Sequence, residues 1–321
     1  MKSILIVIIA ALPIIGFGQN TYERKFSETA SLFQKHFNAG QSDSVFNMFG
    51  PVMQIAFPKE KLSAYFSKVH SDKGEIIGTG LPFITALNKA EVPVYFKSDT
   101  LDLNLSLDNS NKITGFGLKS AKRRPPVLDK NIIMLIPPFK GQWQCFWGGE
   151  TEEQNKHIIL SNQRHAFDFV MTDSAGKSYR DKGVRNEDYY AFGQNVYAPA
   201  DGIVTDVTSG VRDNEPGNLD PFFALGNSII IKHAENEYSV LAHFKMNSII
   251  VKVGDKVKKG QLLGLCGNSG NTTEPHVHFH LQNSPVIQDG TGIKIYFSSI
   301  KVNDKLMMNY SPVKGDKLTI E

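Results

Sequence analysis

Residues 276–281 read His-Val-His-Phe-His-Leu, an alternation of imidazoles with apolar side chains. Because successive side chains of a β-strand point to opposite faces, this segment predicts a strand with one apolar, buried face and one face made only of imidazoles. Structural histidines usually occur singly, whereas imidazole is the usual zinc ligand and general base in proteins. The pattern therefore indicates a metal or catalytic role for His276 and His278.

The first twenty residues have the layout of a secretory signal peptide, which predicts export. Met-Lys precedes an apolar run at residues 3–15, and small residues follow it, so residues 1–18 are assigned to the signal peptide. This run is shorter than the roughly 20 residues of a membrane helix, and no later segment of the sequence is longer and as apolar. We expect no stable membrane insertion after cleavage and a location in the periplasm or outside the cell.

Charge and cysteine content exclude several classes of protein. The net charge is only +3 and the basic residues are scattered, so nucleic acid is not an expected partner. Two cysteines, Cys145 and Cys266, are too few for a disulfide-built scaffold and form no zinc motif of the C-x-x-C type. The sequence leaves open whether they form one bridge or are two separately buried thiols.

Residues 19–120 predict an α+β domain, because helical periodicity comes first and strand-like segments follow. Helices are expected at residues 22–40, 42–50 and 59–70, and strands at residues 75–80, 82–87, 92–96, 99–107 and 112–118. This order resembles the nuclear transport factor 2-like fold, which implies a cone-like curved sheet with helices. The role of this domain is left open, and it is a candidate site for an envelope protein partner.

Residues 121–140 are assigned to a linker, and residues 141–321 to an all-β second domain. The linker begins near Lys-Arg-Arg-Pro-Pro at residues 122–126 and contains Pro137-Pro138, both of which favour extended backbone. Beyond residue 141 the sequence reads as short strands between turn residues, without a convincing long helix. Two separate hydrophobic cores are therefore expected.

Several motifs of the second domain resemble the lysostaphin-type (LytM-like) zinc endopeptidases, which cut peptides of peptidoglycan. Gly-Asn-Ser-Gly at residues 267–270 precedes Glu-Pro-His-Val-His-Phe at 274–279, and Leu-Ala-His lies at 241–243. Further motifs are Val-Gly-Asp-x-Val at 253–257 and Val-Tyr-Ala-Pro-Ala-Asp-Gly at 196–202. The resemblance implies a zinc metallopeptidase with its core at residues 157–282 and peptidoglycan peptides as substrates.

The resemblance also implies roles for individual residues. His278, the second histidine of the H-x-H pair, and Asp168, in Ala-Phe-Asp-Phe, match the zinc ligands of the family. His276 and His243 match the catalytic histidines that assist the attacking water and the transition state. A catalytic zinc ion needs three protein ligands and a fourth position for water, so one ligand remains to be assigned.

The sequence departs from the family at that third ligand. The usual first histidine lies four residues before the aspartate, where this chain has Arg164, whose guanidinium has no lone pair for a metal. Arg164 is instead expected to hold Asp168 or to face a substrate carboxylate. His165 is not expected to be the ligand, because residues 165 and 168 of a strand point to opposite faces. His157, in an Asn-x-His motif that resembles a subgroup of the family, is the predicted third ligand.

Two alternatives remain open at this point. Without a third ligand the protein would be a degenerate relative that binds and activates a cell-wall amidase, as some relatives do. A carrier that merely stores metal is the other alternative, and in that case His243 would be dispensable. The retained His243, His276, His278 and Asp168 favour hydrolysis.

Overall fold

A computed structural model describes residues 21–321, and the predicted signal peptide at residues 1–18 lies outside the described residues. Within residues 21–321, no helix combines the length and the apolar character that crossing a bilayer requires.

The described part of the chain begins with four helices, one more than predicted. They are α1 (Thr21–Asn38), α2 (Ser42–Met48), α3 (Pro51–Ala56) and α4 (Lys59–Lys73). The unpredicted helix, α3, has only six residues, and its apolar Val52 and Ile55 are exposed. It therefore lacks the apolar stripe by which sequence periodicity reveals a helix.

A five-stranded antiparallel sheet follows the helices and completes the predicted α+β domain. Its strands are β1 (Ile76–Thr79), β2 (Phe83–Ala86), β3 (Lys89–Phe96), β4 (Thr100–Leu107) and β5 (Ile113–Ser120). They pair in the order β1-β3-β4-β5, and β2 also pairs with β3. Phe26 and Phe33 of α1 and Leu62 of α4 are fully buried against Val92 and Leu103 of the sheet. One apolar face of the sheet and the helices thus form the first core.

The rest of the chain is a second, strand-rich domain, which confirms the predicted all-β class. Its strands are β6 (Gly141–Trp147), β7 (Phe167–Val170), β8 (Asn195–Tyr197), β9 (Gly202–Thr208), β10 (Asn227–Ala234), β11 (Glu237–Phe244), β12 (Lys256–Val257), β13 (Leu262–Leu265), β14 (Val277–Gln282), β15 (Gly292–Ile293), β16 (Phe297–Val302), β17 (Lys305–Tyr310) and β18 (Lys317–Ile320). Eleven of them form one sheet in the order β12-β9-β10-β11-β14-β7-β6-β18-β16-β17, with β15 on β14, whereas β8 and β13 pair separately.

Strand β14 lies near the middle of this sheet, between β11 and β7. Its apolar residues Val277, Phe279 and Leu281 are at most 1% exposed, and the ring of Phe279 stacks on Phe297 with 6.2 Å between centroids. These contacts fix which face of β14 is buried in the core. Because side chains alternate along a strand, the imidazoles necessarily line the opposite face.

Cys145 and Cys266 are both buried and both free thiols. The structure thus has two separately buried cysteines, the second of the two arrangements that the sequence left open.

Candidate metal centre

Asp168 and His278 lie directly opposite each other on the neighbouring strands β7 and β14. Directly paired residues of an antiparallel sheet point their side chains to the same face, so the carboxylate meets the imidazole. Nδ1 of His278 is 2.9 Å from Oδ1 of Asp168, and both residues are buried. The packing of the apolar face of β14 in the core therefore also directs His278 toward Asp168.

His157 approaches the other oxygen of the same carboxylate. It lies in a short 3₁₀ helix, Lys156–Ile159, and its Nε2 is 3.4 Å from Oδ2 of Asp168. Asn155 fixes the ring: its Nδ2 donates to the carbonyl of Ala166, so its Oδ1 faces His157 and accepts a hydrogen bond from Nδ1 at 3.0 Å. His157 therefore carries its proton on Nδ1 and presents the lone pair of Nε2 to Asp168.

A chain of hydrogen bonds fixes the proton of His278 as well. It ends at the carbonyl of Ser284, which accepts from Nε2 of Gln282 at 2.6 Å. Oε1 of Gln282 must then accept from Nε2 of His280 (3.2 Å), which leaves Nδ1 of His280 to accept from Nε2 of His278 (3.0 Å). A neutral His278 therefore presents the lone pair of Nδ1 to Asp168.

Lone pairs of two imidazoles thus converge on an ionised carboxylate, whose Oδ2 also lies 3.7 Å from Nζ of Lys156. A cation or a proton between the ring nitrogens and the carboxylate would relieve the remaining repulsion. Tetrahedral zinc with bonds of about 2.0–2.1 Å holds its ligand atoms about 3.3 Å apart. The 3.4 Å between Nε2 of His157 and Oδ2 of Asp168 matches that spacing, and the 2.9 Å between Nδ1 of His278 and Oδ1 of Asp168 is shorter. Two nitrogens and one oxygen also form the donor set of catalytic zinc sites, so the residues fit the ion.

The electrostatics of His157 and Asp168 favour the same protonation states. Burial lowers the pKa of His157 to about 3 although the charge of Asp168 acts to raise it, so this ring is neutral near pH 7. Burial would raise the pKa of Asp168, but the surrounding imidazoles of His157, His276 and His278 lower it well below its usual range. A neutral imidazole and a carboxylate are the forms that bind a metal.

His243 and His276 lie beside this set, and His278 belongs to both groups. One donor atom from each of His243, His276 and His278 lies within 4.8 Å of the others, and the same holds for His157, Asp168 and His278. The structure therefore brings together all five side chains that the sequence predicted for the site. Their individual roles stay predictions.

An irregular backbone directs His243 to this place. Ala242 pairs with His278, so regular alternation would point His243 to the opposite face. His243 instead has a left-handed backbone, with a φ of 63°, at the end of β11 where the pairing with β10 shifts register. Its Nδ1 donates to the carbonyl of Ser269 at 2.7 Å, and burial holds its pKa well below the ordinary range. The ring is neutral and its Nε2 can accept a proton.

His276 has the opposite electrostatic character. Its Nδ1 donates to the carbonyl of Glu274 at 2.9 Å, and its Nε2 is 3.3 Å from Oδ1 of Asp168. Burial alone would lower the pKa of His276, but the charge of Asp168 and these hydrogen bonds outweigh it and raise the pKa. The two neighbouring imidazoles are thus poised differently, one as a base and one as a proton donor.

Arg164 does not contact the metal centre, so the expectation that it holds Asp168 is wrong. Its guanidinium pairs with both oxygens of Glu23 in α1, at 2.7 Å and 3.0 Å. Residues 164 and 165 precede β7, and their side chains diverge from the centre: His165 lies with Glu150, Phe167 and Lys294 around a small cavity.

The hydrogen bonds that Asn155 and Gln282 make at the site were not predicted from the sequence. Gln282 could have been predicted, because it lies two positions after His280 and therefore on the same face of the strand as the imidazoles.

Both parts of the chain resemble known families. Residues 184–291 match the model of peptidase family M23. Residues 30–116 match a family described as a protein of unknown function (DUF3887), which has the nuclear transport factor 2-like fold, as predicted. The M23 match includes His243, His276 and His278 and begins after His157 and Asp168. The assignment of these last two residues therefore depends on the geometry described above.

Individual relatives are similar over the second domain. The cell division protein DipM of Caulobacter vibrioides is 33% identical over 133 residues, which are 41% of this chain and 20% of DipM. The peptidoglycan DD-endopeptidase ShyA of Vibrio cholerae is 35% identical over 89 residues, 28% of this chain and 17% of ShyA. The aligned region thus spans about a fifth of the length of these relatives.

Among solved structures, the catalytic domain of the antimicrobial peptidase lysostaphin from Staphylococcus simulans is 25% identical. The superposition covers 40% of this chain and 73% of that domain, with a TM-score of 0.26.

Proposed function

Because residues 184–291 match the model of peptidase family M23, we propose that this chain is an exported zinc metalloendopeptidase that hydrolyses peptide bonds in peptidoglycan cross-links or stem peptides. The observation that carries this proposal is the convergence of the His157 and His278 lone pairs on Asp168. Peptidoglycan as the substrate is supported by the similarity to ShyA, which is named as a peptidoglycan DD-endopeptidase. Export is supported by the predicted signal peptide at residues 1–18.

In the proposed reaction, His157, Asp168 and His278 hold the zinc ion. The bound ion would supply a Lewis acid that polarises the scissile carbonyl and acidifies the attacking water. The second-layer residues Asn155 and His280 keep the two rings in the tautomers that leave the ligand nitrogens unprotonated.

His243 is the proposed general base. Its Nδ1–H is committed to the carbonyl of Ser269, so its Nε2 is the nitrogen that can take a proton from the attacking water. A base must be unprotonated before the reaction, and the lowered pKa of His243 satisfies this condition. The proton can then pass to the leaving amine.

His276 is the proposed partner of the developing negative charge on the substrate. Its Nδ1–H is held by the carbonyl of Glu274, so the second proton of the protonated ring sits on Nε2. The proton on Nε2 therefore points toward the centre and can donate to the carbonyl oxygen of the tetrahedral intermediate. Such a fixed donor in a buried site stabilises the transition state.

The alternative, a non-catalytic protein that binds and activates a cell-wall amidase, finds less support. Such a protein needs neither a three-ligand set nor two further imidazoles with opposite proton affinities. Each of these buried polar groups costs free energy of folding unless it is paired. Their joint presence is therefore better accounted for by hydrolysis.

The test combines metal analysis with digestion of purified peptidoglycan. Wild type, His157→Ala and His165→Gln are compared at equal concentration, because His165 lies in the same segment without facing Asp168. We expect near-stoichiometric zinc and release of peptides with new amino termini for wild type and His165→Gln. His157→Ala should lose both. A wild type without zinc, or zinc-loaded protein that cuts no peptide bond but stimulates an amidase, would contradict the proposal.

A further inference from the structure

The residues around His157 form a segment that lies between the two domains. Residues 155–165, here called the His157 segment, contain local turns but no strand. On one side, the amide of Ser161 donates to the carbonyl of Ile84 in β2 at 3.2 Å, and the amide of Ile84 donates to Oγ of Ser161 at 2.7 Å. On the other side, the amide of Gly292 donates to the carbonyl of Ser161 at 2.7 Å. Ser161 is thus bound by both domains.

A buried ion pair adds a second connection between the segment and the first domain. Arg164 and Glu23 interact through two parallel hydrogen bonds of 2.7 Å and 3.0 Å, the geometry that makes Arg–carboxylate pairs directional. The Glu23 side chain is only 8% exposed and that of Arg164 26%, so water screens the pair little. Glu23 also lies in the first turn of α1, where the helix dipole favours a negative charge.

The second domain and the segment itself supply further contacts. Its own backbone hydrogen bonds join residues three apart, as from Leu160 to His157 and from Gln163 to Leu160. Asn155 anchors the beginning of the segment through the carbonyl of Ala166. In the later half of the segment, Ser161 and Arg164 bind the first domain, and Nδ2 of Asn162 donates to the carbonyl of Ile287 in the second domain at 2.9 Å.

From these contacts we propose that the first domain is a positioning element of the metal centre. Its strand β2 and its Glu23 hold the His157 segment so that Nε2 of His157 stays within reach of Asp168. This inference rests on the proposed function, because it concerns the third ligand of the proposed zinc site. Glu23, Arg164 and Ser161 act through His157 and touch neither metal nor substrate.

The experiment uses the full chain and two measurements on Glu23→Gln, Arg164→Gln and the double variant. The zinc dissociation constant is measured by competition with a chelator, and the amide exchange of residues 155–163 is measured in zinc-free protein. We expect zinc binding to weaken about 10–100-fold, as for other residues that orient ligands. The double variant should bind zinc no more weakly than either single variant, because each single substitution already removes the ion pair. Exchange of the segment should become faster in all three.

The matched control is Arg124→Gln. Arg124 pairs with Glu91 and Asp102 and is similarly buried, with 17% of its side chain exposed, but it does not contact the His157 segment. It should lower thermal stability without changing zinc affinity or the exchange of residues 155–163. Arg164→Lys, which keeps the charge but loses the two-pronged contact, should weaken zinc binding less than Arg164→Gln.

The outcomes separate this inference from the proposed function. Unchanged zinc affinity and unchanged exchange in Arg164→Gln and Glu23→Gln would overturn the inference while leaving a zinc peptidase intact. If wild type binds no zinc, the proposed function fails, and faster exchange in the variants would still support the positioning of the segment. Should these variants not fold, Ser161→Ala removes one acceptor only and should give the same two changes in smaller measure.

Discussion

Oδ1 of Asp168 and Nδ1 of His278 are 2.9 Å apart because the two residues are paired across β7 and β14. The site thus brings together atoms that repel each other unless a cation or a proton lies between them.

Zinc should raise the thermal stability of the protein, and a chelator should lower it. A ligand present at 100 times its dissociation constant and bound only by the folded state adds about 2.7 kcal/mol. For a protein of this size we expect the midpoint of unfolding to rise by several degrees. The measurement is calorimetry with and without zinc. His157→Ala should show no rise, and an equal rise in this variant would remove His157 from the ligand set.

His243→Ala should abolish turnover and leave zinc in place. Its Nε2 is the proposed proton acceptor, and loss of a general base usually costs about 10²–10⁴-fold in rate. The measurements are kcat on purified peptidoglycan and zinc content of the same preparation. Retained turnover in this variant would refute the proposed role and would favour a protein that merely stores metal.

His280→Phe should weaken zinc binding about tenfold although His280 is not a ligand. His280 accepts the Nε2–H of His278, so its loss frees that ring to rotate or to change tautomer. Chelator competition measures the effect. The matched control is His233→Gln, since His233 bonds to Asp201 and Ser239, away from the centre. Equal zinc affinities of the two variants would show that the hydrogen-bond chain does not matter.

His165 should make the protein less stable in mild acid. Burial, and then the charge of Arg164, lowers its pKa to about 4 from 6.5, so the unfolded state binds the proton more tightly. Stability from this group is fully present above pH 6.5 and is lost as the pH falls toward 4. In zinc-free protein, His165→Gln should reduce the difference in unfolding free energy between pH 7 and pH 4.5 by about 2 kcal/mol.

Denaturant unfolding at the two pH values checks this prediction. His70→Gln serves as the control, because His70 is exposed on α4. If His165→Gln keeps the full pH dependence of wild type, another histidine is responsible for the acid sensitivity.

The sequence predicted the features that follow from strict periodicity. The alternation at residues 276–281 predicted the face of β14, because a strand has only two faces and the apolar side chains must occupy the buried one. The helices α1 and α4 were predicted from their apolar stripes, whereas α3 was missed because its apolar residues are exposed.

Features that depend on contacts distant in sequence could not be predicted in this way. The partner of Arg164 is Glu23, 141 positions away, and periodicity carries no information about such a pair. The orientation of His243 depends on a left-handed residue at a shift of strand register, and alternation alone would have pointed its ring the wrong way. For His243, the motif resemblance to the lysostaphin-type enzymes predicted the position of the ring better than strand alternation did.

The pairing of Arg164 with Glu23 limits how this protein can be rearranged by recombination. The resemblance to the lysostaphin-type enzymes implies a metal ligand at position 164, but here Arg164 joins the second domain to the first instead. Replacing the first domain by an unrelated one would remove Glu23 from the partly buried guanidinium of Arg164. Replacing the second domain by a relative with a histidine at position 164 would remove the Arg164 contact of Glu23. The two halves of the gene are therefore expected to have been inherited together and to accept substitutions at these positions only in concert.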